Sequence, residues 1–222
     1  MSLFAGFAIV LVEAGASLWK KFHAINFGIY GASQVGKTTL HQQLRTRGEV
    51  PEIKQRTVGL QKPLRKFVKI EGNAHTVKMS DVGGESQYWN LWKQDMKKRR
   101  PKYVIFVIDD RHLKNRANLQ NQLAWQYLVD LICDEYWRDG KRLKKKKDKD
   151  YPQAVAIWTN KFDLWGKEYE FDDIQKHPIF EPFAYGMQKL NEKGIPCHKY
   201  IVSAKSDPKM VYRGVITMIN DY

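Results

Sequence analysis

The chain is 222 residues long, 43% hydrophobic and 13% aromatic, which suits one α/β domain with extensions and is too apolar for general disorder. Its formal net charge of +14 points to an anionic partner: nucleic acid, an acidic lipid surface or an acidic protein. Cys133 and Cys197 are the only cysteines and form no CxxC or Cys/His spacing for zinc; a structural disulfide is one reading, and two isolated buried thiols, which suit a reducing compartment, are the expected one.

In chain order, residues 1–22 come first. They are apolar over positions 3–12 and then interrupted by Glu13. Wound as a helix, they put Phe4, Phe7, Leu11, Leu18 and Phe22 on one face and Glu13, Ser17 and Lys20 opposite. That pattern fits an amphipathic helix lying in a membrane interface. A spanning helix also fits, since one central acid costs only about 2.5–3.5 kcal/mol on insertion scales, with Lys20 and Lys21 holding the rest cytoplasmic. So does a helix packed on the domain itself or in an oligomer. No basic segment precedes the apolar run, which argues against a cleaved signal peptide.

Residues 25–30 alternate Ile25, Phe27 and Ile29 and end at Gly31, the pattern of a strand. Residues 65–81 read as a hairpin turning at Gly72 and Asn73. YVIFVIDD, residues 103–110, is an almost unbroken apolar run, the mark of a strand covered on both faces. Residues 119–137 have helical spacing through Leu119, Leu123, Tyr127 and Leu131, and residues 141–150, KRLKKKKDKD, are a low-complexity basic loop insertion. Residues 153–160 and 199–204 read as further strands, and residues 210–221 as a helix. The alternation after the hairpin predicts an α/β fold with a six-stranded, mostly parallel sheet and helices on both faces. The chain thus divides into an N-terminal helix, residues 1–22, and one domain, residues 23–222. Of the scattered histidines, His23, His75 and His198 fall at strand edges and are given no role.

Chemistry concentrates in short segments at predicted strand ends. GASQVGKT, residues 31–38, matches G-x-x-x-x-G-K-[ST] between a strand and a helix, the context its mechanism needs. Backbone amides along Gly31, Ser33, Gln34, Val35, Gly36, Lys37, Thr38 and Thr39 are expected to wrap phosphates, helped by the helix N-terminus. Lys37 reaches the outer phosphates, and the Thr38 hydroxyl binds Mg²⁺. TNKFD, residues 159–163, ends a buried strand on the same rim. The Asp163 carboxylate can accept from the N1–H and exocyclic amine of guanine, whereas adenine would leave it unpaired. Asn160 can bond the base edge, and the stem of Lys161 can cover the ring face. SAK (Ser203, Ala204, Lys205) ends the next strand and can present the Ala204 N–H to the guanine oxygen.

Taken together, the glycine loop, Thr57, DVGG at 81–84, NKFD at 160–163 and SAK resemble a small GTPase of the Ras superfamily, from about residue 25 to the C-terminus. RTVGLQ around Thr57, and DVGG followed by Leu91 and Trp92, are similar to the branch containing Arf, Sar and the β subunit of the signal-recognition-particle receptor. The resemblance implies a P-loop GTPase fold that binds GTP or GDP. It implies a Mg²⁺ held by Thr38 and Thr57 with Asp81 nearby through water, and the Gly84 N–H on the γ-phosphate. Catalytic roles are carried over to Lys37, Thr57 and the position of Glu85. It also implies that the hairpin 66–78 shifts register between states, in keeping with its mixed polar alternation.

The family has glutamine where this chain has Glu85. A carboxylate accepts from water but cannot donate toward the transferring phosphoryl oxygens, and its charge repels them, so slow intrinsic hydrolysis is expected. Arg56, beside the switch threonine, has a spacing unlike that of known cis arginines. Residues 1–22, 93–102 and 141–150 each enter one of three strands that are neighbours in the family's sheet, so both basic runs and the apolar terminus are expected on the pole away from the nucleotide. An acidic membrane surface is one partner that fits this pole and would place the protein at the cytoplasmic face of a membrane; solvated loops also fit the lysine runs, and nucleic acid is the third reading. Like its relatives, the chain is expected to meet effector and regulatory proteins. It begins Met1-Ser2, so it lacks the glycine that myristoylation needs. Neither basic run carries aromatic interleaving or a recognition motif for nucleic acid. The competing readings are a GTP-binding scaffold with negligible turnover and an RNA- or ribosome-associated GTPase.

Overall fold

A computed structural model describes residues 25–46, 59–60, 64–70, 73–138, 141–142, 152–166 and 176–221. The expected N-terminal helix, Arg56 and Thr57, and positions 143–150 of the basic insertion lie outside the described residues.

The molecule is an α/β sheet structure. Five parallel strands run in the order β3 (Asn73–Asp81), β1 (Ile25–Tyr30), β4 (Tyr103–Ile108), β7 (Ala154–Thr159) and β8 (Cys197–Ile201), and β2 (Leu64–Ile70) joins the outer edge of β3 antiparallel. Every residue of β4 and β7 is buried, as their unbroken apolar runs require of central strands covered on both faces. Edge strand β8 is half-buried along its whole length. A separate two-stranded ribbon pairs β5 (Trp137–Arg138) with β6 (Lys141–Arg142), so the first residues of the basic insertion are strand. In the hairpin Ile70 pairs with Asn73, so Asn73, expected in the turn, belongs to β3, while Gly72 lies outside the described residues.

The helices are α1 (Lys37–Thr46), α2 (Trp89–Arg99), α3 (Arg111–Lys114), α4 (Gln120–Tyr136), α5 (Phe162–Trp165), α6 (Ala184–Glu192) and α7 (Pro208–Asn220). Asp207 caps α7, its carboxylate accepting from the amides of Lys209 (2.9 Å) and Met210 (3.4 Å), with Pro208 preset for the first turn. Of the four residues that share helical spacing, Leu119 and Leu123 are 51% and 58% exposed, Tyr127 packs half-buried against the core and Leu131 is buried, and Ala124, Trp125, Leu128, Val129 and Ile132 fill the core beside it. Trp125, donating to the Phe183 carbonyl at 3.2 Å, is the largest of these side chains and fixes the rotation of the helix. No helix among the described residues is long and apolar enough to cross a membrane. Cys133 and Cys197 are free thiols.

Helix α2 is anchored by a buried carboxylate. Asp95 accepts from the Tyr30 hydroxyl (2.7 Å) and the Ser80 hydroxyl (3.1 Å) and forms a bidentate ion pair with Arg99. One side chain therefore ties α2 to the ends of both β1 and β3. Removing it would leave two hydroxyls and a guanidinium without their acceptor, so Asp95→Ala is expected to cost about 3 kcal/mol of stability, read as a lower urea midpoint at unchanged slope.

Because the five central strands are parallel, their entrances share one pole. The Lys102 amide donates to the Asn26 carbonyl (2.8 Å) and the Gln153 amide to the Lys102 carbonyl (2.7 Å), so the chain enters β1, β4 and β7 side by side. Lys97, Lys98 and Arg100 are exposed there at the end of α2.

Candidate functional site: the C-terminal rim of the sheet

The opposite pole collects the segments that follow β1, β3, β4, β7 and β8, namely residues 31–38, 82–85, 109–111, 160–163 and 202–205. Their contacts show how closely they are assembled. The Asn160 side chain, buried, donates to the Val35 carbonyl (2.9 Å) and accepts from the Ala204 amide (3.0 Å), so one residue of β7's exit fastens the glycine loop to the segment after β8. The same amide group explains Gly36. At φ +94 this residue is in a left-handed conformation, and a Cβ there would lie 2.2 Å from Asn160 Nδ2.

This geometry changes one expected role. Asn160 uses one of its two side-chain N–H groups and its oxygen as a bridge inside the protein. The Ala204 N–H points at Asn160 instead of outward, because a buried amide takes the nearest strong acceptor. Asp163 stands differently. It is exposed, in the first turn of α5, with the Ser203 hydroxyl donating to its Oδ1. Ser203 also bonds Ser206, and Lys205 is exposed beside them. The carboxylate is thus oriented by the protein and open to a ligand with paired donors. Lys161 adopts a left-handed conformation, φ +63, and its ammonium pairs with Asp109 at 2.8 Å.

At the other end of the rim, α1 starts at Lys37 and carries no acidic side chain in its first turn. The amides of Lys37, Thr38 and Thr39 belong to the donors a helix start leaves without intrahelical partners, which suits an anion. Lys37 is 5% exposed, its Nζ donating to the Ala32 carbonyl at 2.7 Å. Burial pushes its pKa down to about 8, opposed by Asp81, with smaller contributions from Arg111 and Asp109. The Thr38 hydroxyl donates to Asp81 Oδ2 at 2.6 Å. Two hard oxygens in contact match the preference of Mg²⁺, which leans on one or two protein carboxylates and otherwise on water and ligand phosphates. Among the described residues no group of three or more His, Cys, Asp or Glu is placed to hold a metal by itself.

The turn after β3 packs against this loop. A Cβ at Gly84 would lie 2.4 Å from both the Ala32 oxygen and Lys37 Nζ, so only glycine lets the two backbones approach. Two indoles hold the turn from behind, Trp92 donating to the Gly83 carbonyl (2.9 Å) and Trp89 to the Gly84 carbonyl (3.3 Å). Trp89, Trp92, Tyr30 and Tyr127 pack with centroids 5.2–5.9 Å apart. Glu85 follows in extended conformation, half-buried, accepting from the Gln87 side chain at 2.9 Å.

Two members of the rim, Asp109 and Arg111, were not picked out by motif. Asp109, fully buried, accepts from Lys161, from Arg111 Nε (2.8 Å) and from Asn121 (3.2 Å). Burial works against its ionisation, but Lys161 and Arg111 outweigh it and hold the carboxyl below the usual range. Asp109 and Arg111 follow a wholly apolar strand, the same strand-end position that singled out Asp163, and that placement was the available signal. Comparison of the chain with protein-family models and with curated proteins finds no match.

Proposed function

We propose that this protein is a guanine-nucleotide-dependent switch of Arf-like type, a small GTPase binding GTP or GDP with Mg²⁺ through a P-loop. What carries the reading is one juxtaposition: a buried lysine in a glycine loop at a helix start, and an exposed, serine-oriented carboxylate at Asp163, both on one rim and fastened together by Asn160. The first suits a phosphate chain. The second suits the paired N–H donors of guanine. Thr38 would hold Mg²⁺ with Thr57, and Asp81, in contact with Thr38, would reach the ion through water; the ion would supply charge neutralisation at the transferring phosphate. Gly84, seated on Ala32 and Lys37, is where loss of the γ-phosphate would be felt, and the indoles of Trp89 and Trp92 would pass that change to α2. The basic pole meets an acidic membrane surface or an acidic partner, with residues 1–22 reinforcing it, and effectors and regulators read the switch.

Acid extraction of nucleotide from the purified protein tests the proposal. Guanine nucleotide is the expected content, and an adenine nucleotide in its place contradicts it.

Glu85 favours a second reading, a GTP-binding scaffold with negligible turnover. The attacking water needs an acceptor, and the phosphoryl oxygens need a donor that a carboxylate lacks. Glu85→Gln is therefore expected to raise the single-turnover rate of GTP hydrolysis by roughly 10- to 100-fold. An unchanged rate would remove Glu85 from the chemistry.

A further inference from the structure

We infer that Arg111 is a positioning residue that sets how tightly the glycine loop holds a diphosphate, by fixing the Ser33–Gln34 peptide so that its N–H faces away from the guanidinium and into the loop; this rests on the nucleotide-binding reading above. Arg111 Nη2 donates to the Ser33 carbonyl at 2.7 Å. Among the described residues no peptide bond is cis, and in a trans peptide the carbonyl and the following N–H point in opposite directions. Holding the Ser33 oxygen on the Arg111 side therefore directs the Gln34 N–H to the other side.

The peptide needs such a tie. Gln34 sits at φ +65, a left-handed conformation that side chains disfavour and that glycine would adopt freely. The tie is itself rigid, because Arg111 Nε donates to Asp109 Oδ1 (2.8 Å) and Nη1 to Gln120 Oε1 (3.1 Å). Three acceptors, one on each guanidinium nitrogen, fix the fork as a lysine could not. Asp109 in turn is held by Lys161, which belongs to the segment facing the base. The phosphate end and the base end of the site thus share one buried carboxylate, with Arg111 as the arm that reaches the loop.

The test uses the full-length protein with Arg111→Ala and Arg111→Lys. Either variant is expected to speed dissociation of a fluorescent guanosine diphosphate roughly tenfold, and to weaken GDP and GTP equally, since the diphosphate is common to both. In the nucleotide-free protein the Gln34 amide resonance is expected to move. The lysine variant, which keeps a positive charge beside Asp109, is expected to melt at the wild-type temperature. Unchanged off-rates in both variants, with wild type still holding nucleotide, overturn the role of Arg111 and leave the GTPase reading standing. A faster off-rate accompanied only by a lower melting temperature and an unmoved Gln34 amide also overturns it, as a general structural effect. A wild-type protein that binds no guanine nucleotide overturns both.

Discussion

Lys37→Ala is expected to lower affinity for GDP and GTP by roughly 100-fold or more. The ammonium is buried in the glycine loop, on the Ala32 carbonyl and beside Asp81. A phosphate there would gain a charged donor already in place and relieve the burial that holds the pKa near 8. The pH dependence follows in sign. Below about pH 8 the free protein carries the proton that a phosphate wants. Above it, binding must take a proton up, so affinity falls with rising pH by at most about tenfold per unit. The folded pKa also lies below the ordinary 10.5, so this group's contribution to the nucleotide-free fold grows between about pH 8 and 10.5 and is lost as pH falls through 8. Titrating GDP affinity from pH 7 to 9.5 checks this, with Lys37→Ala as the variant in which the slope disappears.

Asp163→Asn is expected to reverse base preference. The carboxylate offers two acceptors; the amide offers one acceptor and one donor. Guanine presents two donors, so the variant should lose roughly 100-fold in GTP affinity, one donor now facing another. Xanthine keeps the N1–H and replaces the amine with a carbonyl, which matches the amide, so xanthosine triphosphate should bind the variant more tightly than GTP does. Competition between the two nucleotides measures this directly. Equal loss for both would mean that Asp163 supports the fold and does not read the base. Ser203 orients that carboxylate, and a fold defect would therefore also disturb the segment after β8.

Much of this architecture was legible because some residues have few alternatives. The apolar runs at 103–108 and 154–159 can only be strands covered on both faces. G-x-x-x-x-G-K-T between strand and helix fixed the place of Lys37 and Thr38, and parallel topology then placed Asp163 and Ser203 on the same rim. Long-range partners were hidden. The bridge that Asn160 makes between Val35 and Ala204 is not visible in its motif. Asp95 looks like one acid in a basic run, yet it is the buried acceptor joining α2 to β1 and β3. In α4 the spacing of Leu119, Leu123, Tyr127 and Leu131 shows a helix but not which side turns inward, which Trp125 decides. Arg111 lies in no motif, and its link to the glycine loop, the Ser33 carbonyl, is 78 residues away in sequence.

The central claim is that Asp163 selects a purine whose phosphates the loop around Lys37 holds. Calorimetry of the nucleotide-free protein with GDP and with ADP, in the presence of Mg²⁺, tests it most directly. Micromolar or tighter binding of GDP, with ADP weaker by roughly 100-fold or more, is the predicted result. Equal affinities for the two nucleotides, or heat from neither, would contradict it.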